Sequence, residues 1–155
     1  MQRKILISAC LLGENVKYDG GNNALHVKLL EQWEKEGVFV PLCPEMLGGL
    51  SVPRRPCEVV EGTHCVVNKI GEDVSMAFEK GAQESLKIAK EAGVCMAILK
   101  ARSPSCGKGV IYDGTFTHRL VDASGLACKL LQENGITVFS EEELPLAEAF
   151  WKQKG

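Results

Sequence analysis

The sequence has no basic excess: its 18 Lys and Arg face 20 Asp and Glu, for a net charge of −2. That excludes nucleic-acid binding by bulk electrostatics, which needs a clear positive balance. Also missing is any apolar run near the roughly 18 residues that span a bilayer, so no membrane partner is expected. There is no G-x-G-x-x-G fingerprint and no Walker loop. His26, His64 and His118 stand singly, without ligand-like spacing, and read as surface or loop residues. No repeat, low-complexity tract or linker interrupts the 155 residues, so residues 1–155 read as one domain. Cysteine is what the chain has in plenty, with seven residues. An odd number excludes full internal pairing and disfavours a secreted disulfide scaffold.

The start of the chain, MQRKILISACLLG, imitates a lipoprotein cleavage site ending at Cys10. The apolar stretch before that cysteine runs only from Ile5 to Ala9, shorter than the core of a signal peptide. A first buried strand explains it better, and a cytoplasmic chain is expected.

Apolar runs of strand length occur at Lys4–Ala9, Val38–Leu42, Val94–Leu99 and Ile136–Phe139. Between them the spacing turns helical. A helix is expected from Asn23 to about Glu36, stopped by Gly37, with Leu25, Leu29 and Trp33 recurring every four residues. Another spans Asp73–Ala92, striped by Val74, Phe78, Ala82, Leu86 and Ala89. Two more are expected over about Ser124–Glu133 and Glu142–Lys152. LGGLSVPRRP reads as an irregular loop, Val59–Ile70 as a small hairpin or a single strand, and the stretch after Asp113-Gly114 as a polar loop. Strands alternating with helices predict an α/β fold: a single-domain, three-layer Rossmann-like sandwich with a mainly parallel sheet.

On this map Cys65, Cys95 and Cys128 read as packing residues. Cys10, Cys43 and Cys106 each follow the carboxyl end of an apolar strand, beside Gly or Pro. Ligands of open parallel sheets bind outside those ends, so three thiols from distant parts of the chain converge there without a local C-x-x-C motif. Thiolate sets suit zinc or iron–sulfur clusters, and three ligands rather than four leave a position open for chemistry. Cys57 follows Arg54-Arg55-Pro56 and reads as a bystander, with a fourth-ligand role as the alternative.

Glu45, two residues after Cys43, is either a proton-transferring carboxylate or a solvated loop acid. Ser103 and Ser105 flank Pro104 ahead of Cys106, and a hydroxyl there orients a substrate or caps a turn. Arg54, Arg55, Lys100, Arg102 and Lys108 crowd the same loops, as stabilisers of thiolates or as ordinary solvated surface.

SACLLG with YDG, CPEMLGGL, VPRRP, GEDVS, ILKARSPSCG, YDGTF and NGITVFSEEEL, in that order, resemble the bacterial thiouracil desulfurase family from about Ile5 to Leu144. The resemblance implies a Rossmann-like domain with an oxygen-sensitive [4Fe–4S] cluster held by Cys10, Cys43 and Cys106, its fourth iron left free of protein. Aerobic preparation is expected to strip that cluster. The implied reaction is the non-redox desulfuration of a small-molecule thiolated pyrimidine, a 2-thiouracil-like nucleobase, with release of sulfide. Glu45 matches the family's acidic proton donor and acceptor. Ser103 matches its substrate-positioning or relay serine, with Ser105 as the alternative. Cys57 stands where the family pattern leads one to expect a small apolar residue such as alanine. Two other classes compete: a non-catalytic protein binding metal, cluster or sulfide, and a metal-free thiol enzyme with Cys106 as nucleophile.

Overall fold

The computed structural model describes residues 3–154. Four strands form a parallel sheet: β1 (Ile5–Ser8), β2 (Phe39–Leu42), β5 (Met96–Leu99) and β8 (Thr137–Ser140), in the order β2-β1-β5-β8. Every residue of β1 and β5 is buried, as expected of strands covered on both faces. Alternate residues face opposite layers. Leu6, Ala97, Leu99 and Val138 pack on α3 (Ser75–Ala92) and α4 (Leu126–Glu133), through Leu86, Ala89, Cys128 and Leu131. Ile5, Ile7, Met96, Ile98 and Phe139 pack on α1 (Lys28–Lys35) and α5 (Leu144–Lys154), through Leu30, Trp33, Ala147 and Trp151. Helices on both faces make the expected three layers. Fully burying each β1 isoleucine or leucine contributes about 1.5–3 kcal/mol.

The rest of the chain forms α2 (Pro44–Leu47) and two antiparallel hairpins. One joins β3 (Cys57–Val59) to β4 (Val66–Asn68), the other β6 (Ile111–Tyr112) to β7 (Leu120–Val121). The first is the hairpin that the sequence left open against a single strand. The second turns at the expected Asp113-Gly114, with β6 just before it and β7 inside the expected polar loop; two-residue strands carry too little periodicity to be seen. Among the described residues no helix is long and apolar enough to cross a membrane.

The first helix begins at Lys28, not Asn23. The Asn23 amide donates to Cys10 O at 2.9 Å and the Leu25 amide to Leu11 O at 3.1 Å, while Asn22 Oδ1 accepts from the Ala24 amide. These bonds tie the segment to the turn after β1, so Leu25 reaches the core from non-helical chain. Cys65 is also corrected: it is exposed, in the turn between β3 and β4, while Cys128 is buried and Cys95 packs at the core's edge.

Registers place the functional end of the sheet. Ser8 pairs with Leu42, and Ile7 with Ile98, so β1, β2 and β5 finish level. β2 lies on one side of β1 and β5 on the other, which makes the β1–β5 boundary the topological switch point where such sheets bind ligands. The one-turn α2 follows β2 with Pro44 in its first turn. It lies so close to α3 that a Cβ on Gly48 would collide with Ala77 O, and one on Gly81 with Pro44 O. Gly81→Ala is therefore expected to destabilise the fold by about 1–3 kcal/mol, a fall of several degrees in Tm. A melting curve identical to that of the parent would contradict this contact.

Candidate active site

Each strand-end cysteine has its own local support. Cys10 lies in the 3-10 turn Ala9–Leu12, closed by Gly13 in the left-handed conformation at φ 94°. Cys43 is the residue before α2, and the amides of Glu45 and Met46 point at its sulfur. Cys106, 4% exposed, ends a turn in which Ser103 Oγ accepts from the amides of Ser105 (3.2 Å) and Cys106 (3.0 Å). Amides at the start of α4 fasten this turn: Leu126 N donates to Pro104 O, and Cys128 N to Ser105 O. Gly125 lies so close to Ser105 that a Cβ has no room.

The three thiols line one cavity of about 480 Å³, together with Glu45, Ser103 and Ser105. A larger, open groove of about 1460 Å³ lies between the hairpins, α3 and α4, but no cysteine lines it. Convergent chemistry, not size, singles out the smaller cavity.

Burial pushes the Cys106 thiol up to about 12, against hydrogen bonds from Ser8 and Ser105, and nearby Cys43 and Cys10 raise it further. Burial likewise raises Cys10, opposed by Asn23 and Lys100 and assisted by Cys43. Cys43 is raised by burial and by the Glu45 charge, against the Met46 amide and Arg54. The three thiols thus sense one another. Cys57 lines the same cavity from β3, but the groups acting on it are Glu45 and Arg54; burial pushes it up to about 11.

Among the described residues no three His, Cys, Asp or Glu side chains are placed to hold one metal ion. Three strand-end thiols around a shared cavity fit an iron–sulfur cluster, in which each thiolate would take its own iron. Because the thiols are raised, they carry protons at neutral pH and must release them when metal binds.

Glu45 is held at both oxygens. Arg54 Nε donates to Oε1 at 3.0 Å, and Ser105 Oγ donates to Oε2 at 3.1 Å. Ser103 Oγ lies 3.1 Å from Ser105 Oγ. Since Ser103 Oγ already accepts two amides, the proton between the hydroxyls belongs to Ser103. The row therefore runs Ser103 to Ser105 to Glu45, and Ser105, not Ser103, touches the carboxylate.

Three of the crowding basic residues are matched by consecutive glutamates. Lys100 pairs with Glu141 at 3.0 Å, Arg102 with Glu142 at 3.1 Å and Lys108 with Glu143 at 2.9 Å. Arg102 adopts φ 64°, a left-handed conformation unusual for a non-glycine. His118, read from the sequence as a surface or loop residue, lines the cavity and meets Tyr112 edge-on at 6.1 Å. Nothing in its sequence spacing marked it.

In cluster-free protein, thiol reactivity should follow exposure and thiolate content. Cys65 is expected to be alkylated by iodoacetamide first and Cys106 among the last, as read by peptide mass spectrometry. Early modification of Cys106 would contradict its burial and revive the metal-free nucleophile.

A sequence profile described as 2-thiouracil desulfurase matches residues 5–143. The chain is 41% identical over 150 residues to YbbK of Bacillus subtilis (strain 168), described as an uncharacterized protein; the match covers 90% of this chain and 97% of that one. A solved structure of a [4Fe-4S]-dependent thiouracil desulfidase, TudS, is also 41% identical and superposes with a TM-score of 0.91 over 96% of this chain and 98% of that one.

Proposed function

The chain belongs to the 2-thiouracil desulfurase family, and from that premise we propose that it removes sulfur from a 2-thiouracil-like base by adding water and releasing sulfide. The observation that carries this reading is the convergence of Cys10, Cys43 and Cys106 with Glu45 on one cavity at the switch point of the sheet. Cys10, Cys43 and Cys106 would hold a [4Fe–4S] cluster, the cofactor named for the TudS structure. When bound, such a cluster supplies a Lewis-acidic iron to which the sulfur of the substrate can attach.

The chain's own part is proton handling and placement. Replacing C=S by C=O consumes one water and yields one H₂S, with no electrons gained or lost. A proton leaves the attacking water and a proton reaches the departing sulfur. Glu45 Oε2, joined through Ser105 to Ser103, can take the first and return it. Ser103 lines the cavity at the outer end of that row and positions the heterocycle. Burial of Cys106, with its thiol near 12, opposes its use as a metal-free nucleophile. Seven cysteines, free wherever the structure describes them, suit the reducing bacterial cytoplasm, where we place the reaction.

Turnover of 2-thiouracil in H₂¹⁸O by anaerobically reconstituted protein tests this assignment. One ¹⁸O per oxo base, with sulfide in equal amount, is the expected result. Substrate binding without ¹⁸O incorporation or sulfide release would instead mark a binding protein.

A further inference from the structure

Arg54 and Arg55 are adjacent and chemically alike, yet the fold separates them: Arg55 is exposed while Arg54 turns inward. The Arg54 side chain is 8% exposed and that of its partner Glu45 13%. We propose that Arg54 is a positioning residue of the desulfuration reaction: it clamps one oxygen of Glu45, so that the other is held toward Ser105 and the cavity. This inference rests on the proposed function above.

Glu45 needs a clamp. Its backbone is in a single helical turn, fixed by the Gly48 and Gly81 approach to α3, but a glutamate side chain keeps its own rotamer freedom unless something holds it. Arg54 is itself anchored, because its backbone N donates to Tyr18 O at 2.7 Å. Its Nη2 donates to Val16 O at 2.9 Å and its Nη1 to Ser51 O at 3.1 Å. With its terminal nitrogens drawn to these two carbonyls, Nε is the nitrogen that meets the carboxylate, at Oε1.

A guanidinium presented end-on would engage both oxygens in a bidentate fork. This contact through Nε alone leaves Oε2 to Ser105. The cation therefore does more than compensate charge: it selects which oxygen faces the hydroxyl row. Lysine cannot reproduce the arrangement, since one ammonium cannot hold the two carbonyls and the carboxylate in the same plane.

The test compares R54A, R54K and R55A in reconstituted protein, with iron content, kcat and KM for 2-thiouracil, and rescue by added guanidinium chloride. R54A is expected to keep its iron and lose about 100-fold in kcat, the scale of a misplaced catalytic group, with KM little changed. R54K should lose nearly as much, R55A should match the parent, and guanidinium should restore most of the kcat of R54A. Retained kcat in R54A, a loss confined to KM, or a loss that guanidinium does not relieve would each overturn the proposal. If R54A unfolds, R54K decides alone: parental kcat in R54K refutes the clamp, and a kcat loss with normal iron and KM supports it. Parent protein that binds iron but releases no sulfide contradicts the desulfuration reading itself and takes this inference with it.

Discussion

Replacing Cys10, Cys43 or Cys106 with alanine is expected to abolish both iron binding and sulfide release, whichever of the three is changed. Two thiolates would not hold what three would, because in the proposed site each would bind a separate iron. No neighbour is expected to take over, since Cys10 and Cys43 follow β1 and β2 level in register, while Cys106 is held by a turn fastened to α4. Among the described residues Cys57 is the other thiol lining the cavity, and it stands on β3 under the influence of Glu45 and Arg54. Cys57→Ala should therefore keep full iron content and turnover. Removing a thiol from a cavity wall also leaves the folded chain intact, so normal far-ultraviolet circular dichroism with no iron is the expected signature. Iron content by absorbance and chemical analysis reads the difference. Full iron in Cys43→Ala, or its loss in Cys57→Ala, would exchange their assigned roles.

Glu45→Gln should separate the cofactor from the chemistry. The amide preserves size, and its oxygen can still accept from one partner. It has no carboxylate to take a proton, and its NH₂ meets either the donating Arg54 Nε or the donating Ser105 hydroxyl. Iron should stay bound, because no thiol is touched, while kcat falls by about 10²–10⁴, the usual contribution of a general acid–base group. Ser105→Ala should cost less, since it removes one member of the row but leaves the carboxylate. Parental kcat in Glu45→Gln would end the role given to the carboxylate.

Much of the fold and of the candidate site was legible because the strand-end cysteines follow runs of buried β-structure. Ile5–Ser8, Phe39–Leu42 and Met96–Leu99 stand out as apolar segments of strand length, and a cysteine comes just beyond the first two and seven residues beyond the third. Long-range hydrogen bonds were not legible. Ser105 meets Glu45 across 60 residues of sequence and Lys100 pairs with Glu141, contacts set by the order and register of strands rather than by any local pattern. The SPSC segment offers two serines of equal local merit; only the direction of α2 shows that Ser105 faces the carboxylate. The start of α1 was missed for a related reason, since the amides of Asn23 and Leu25 are committed to carbonyls of the turn after β1. Basic residues around the loops suggested a field for thiolates, and the Glu141–Glu143 triplet that compensates three of them read only as part of a terminal segment.

The most direct measurement is the yield of sulfide and oxo base from 2-thiouracil, comparing anaerobically reconstituted protein with the same protein stripped of iron. Cluster-dependent desulfuration requires equal amounts of the two products from the iron-loaded protein and none from the stripped one. Iron-loaded protein that yields no sulfide, or stripped protein that yields as much, would contradict it.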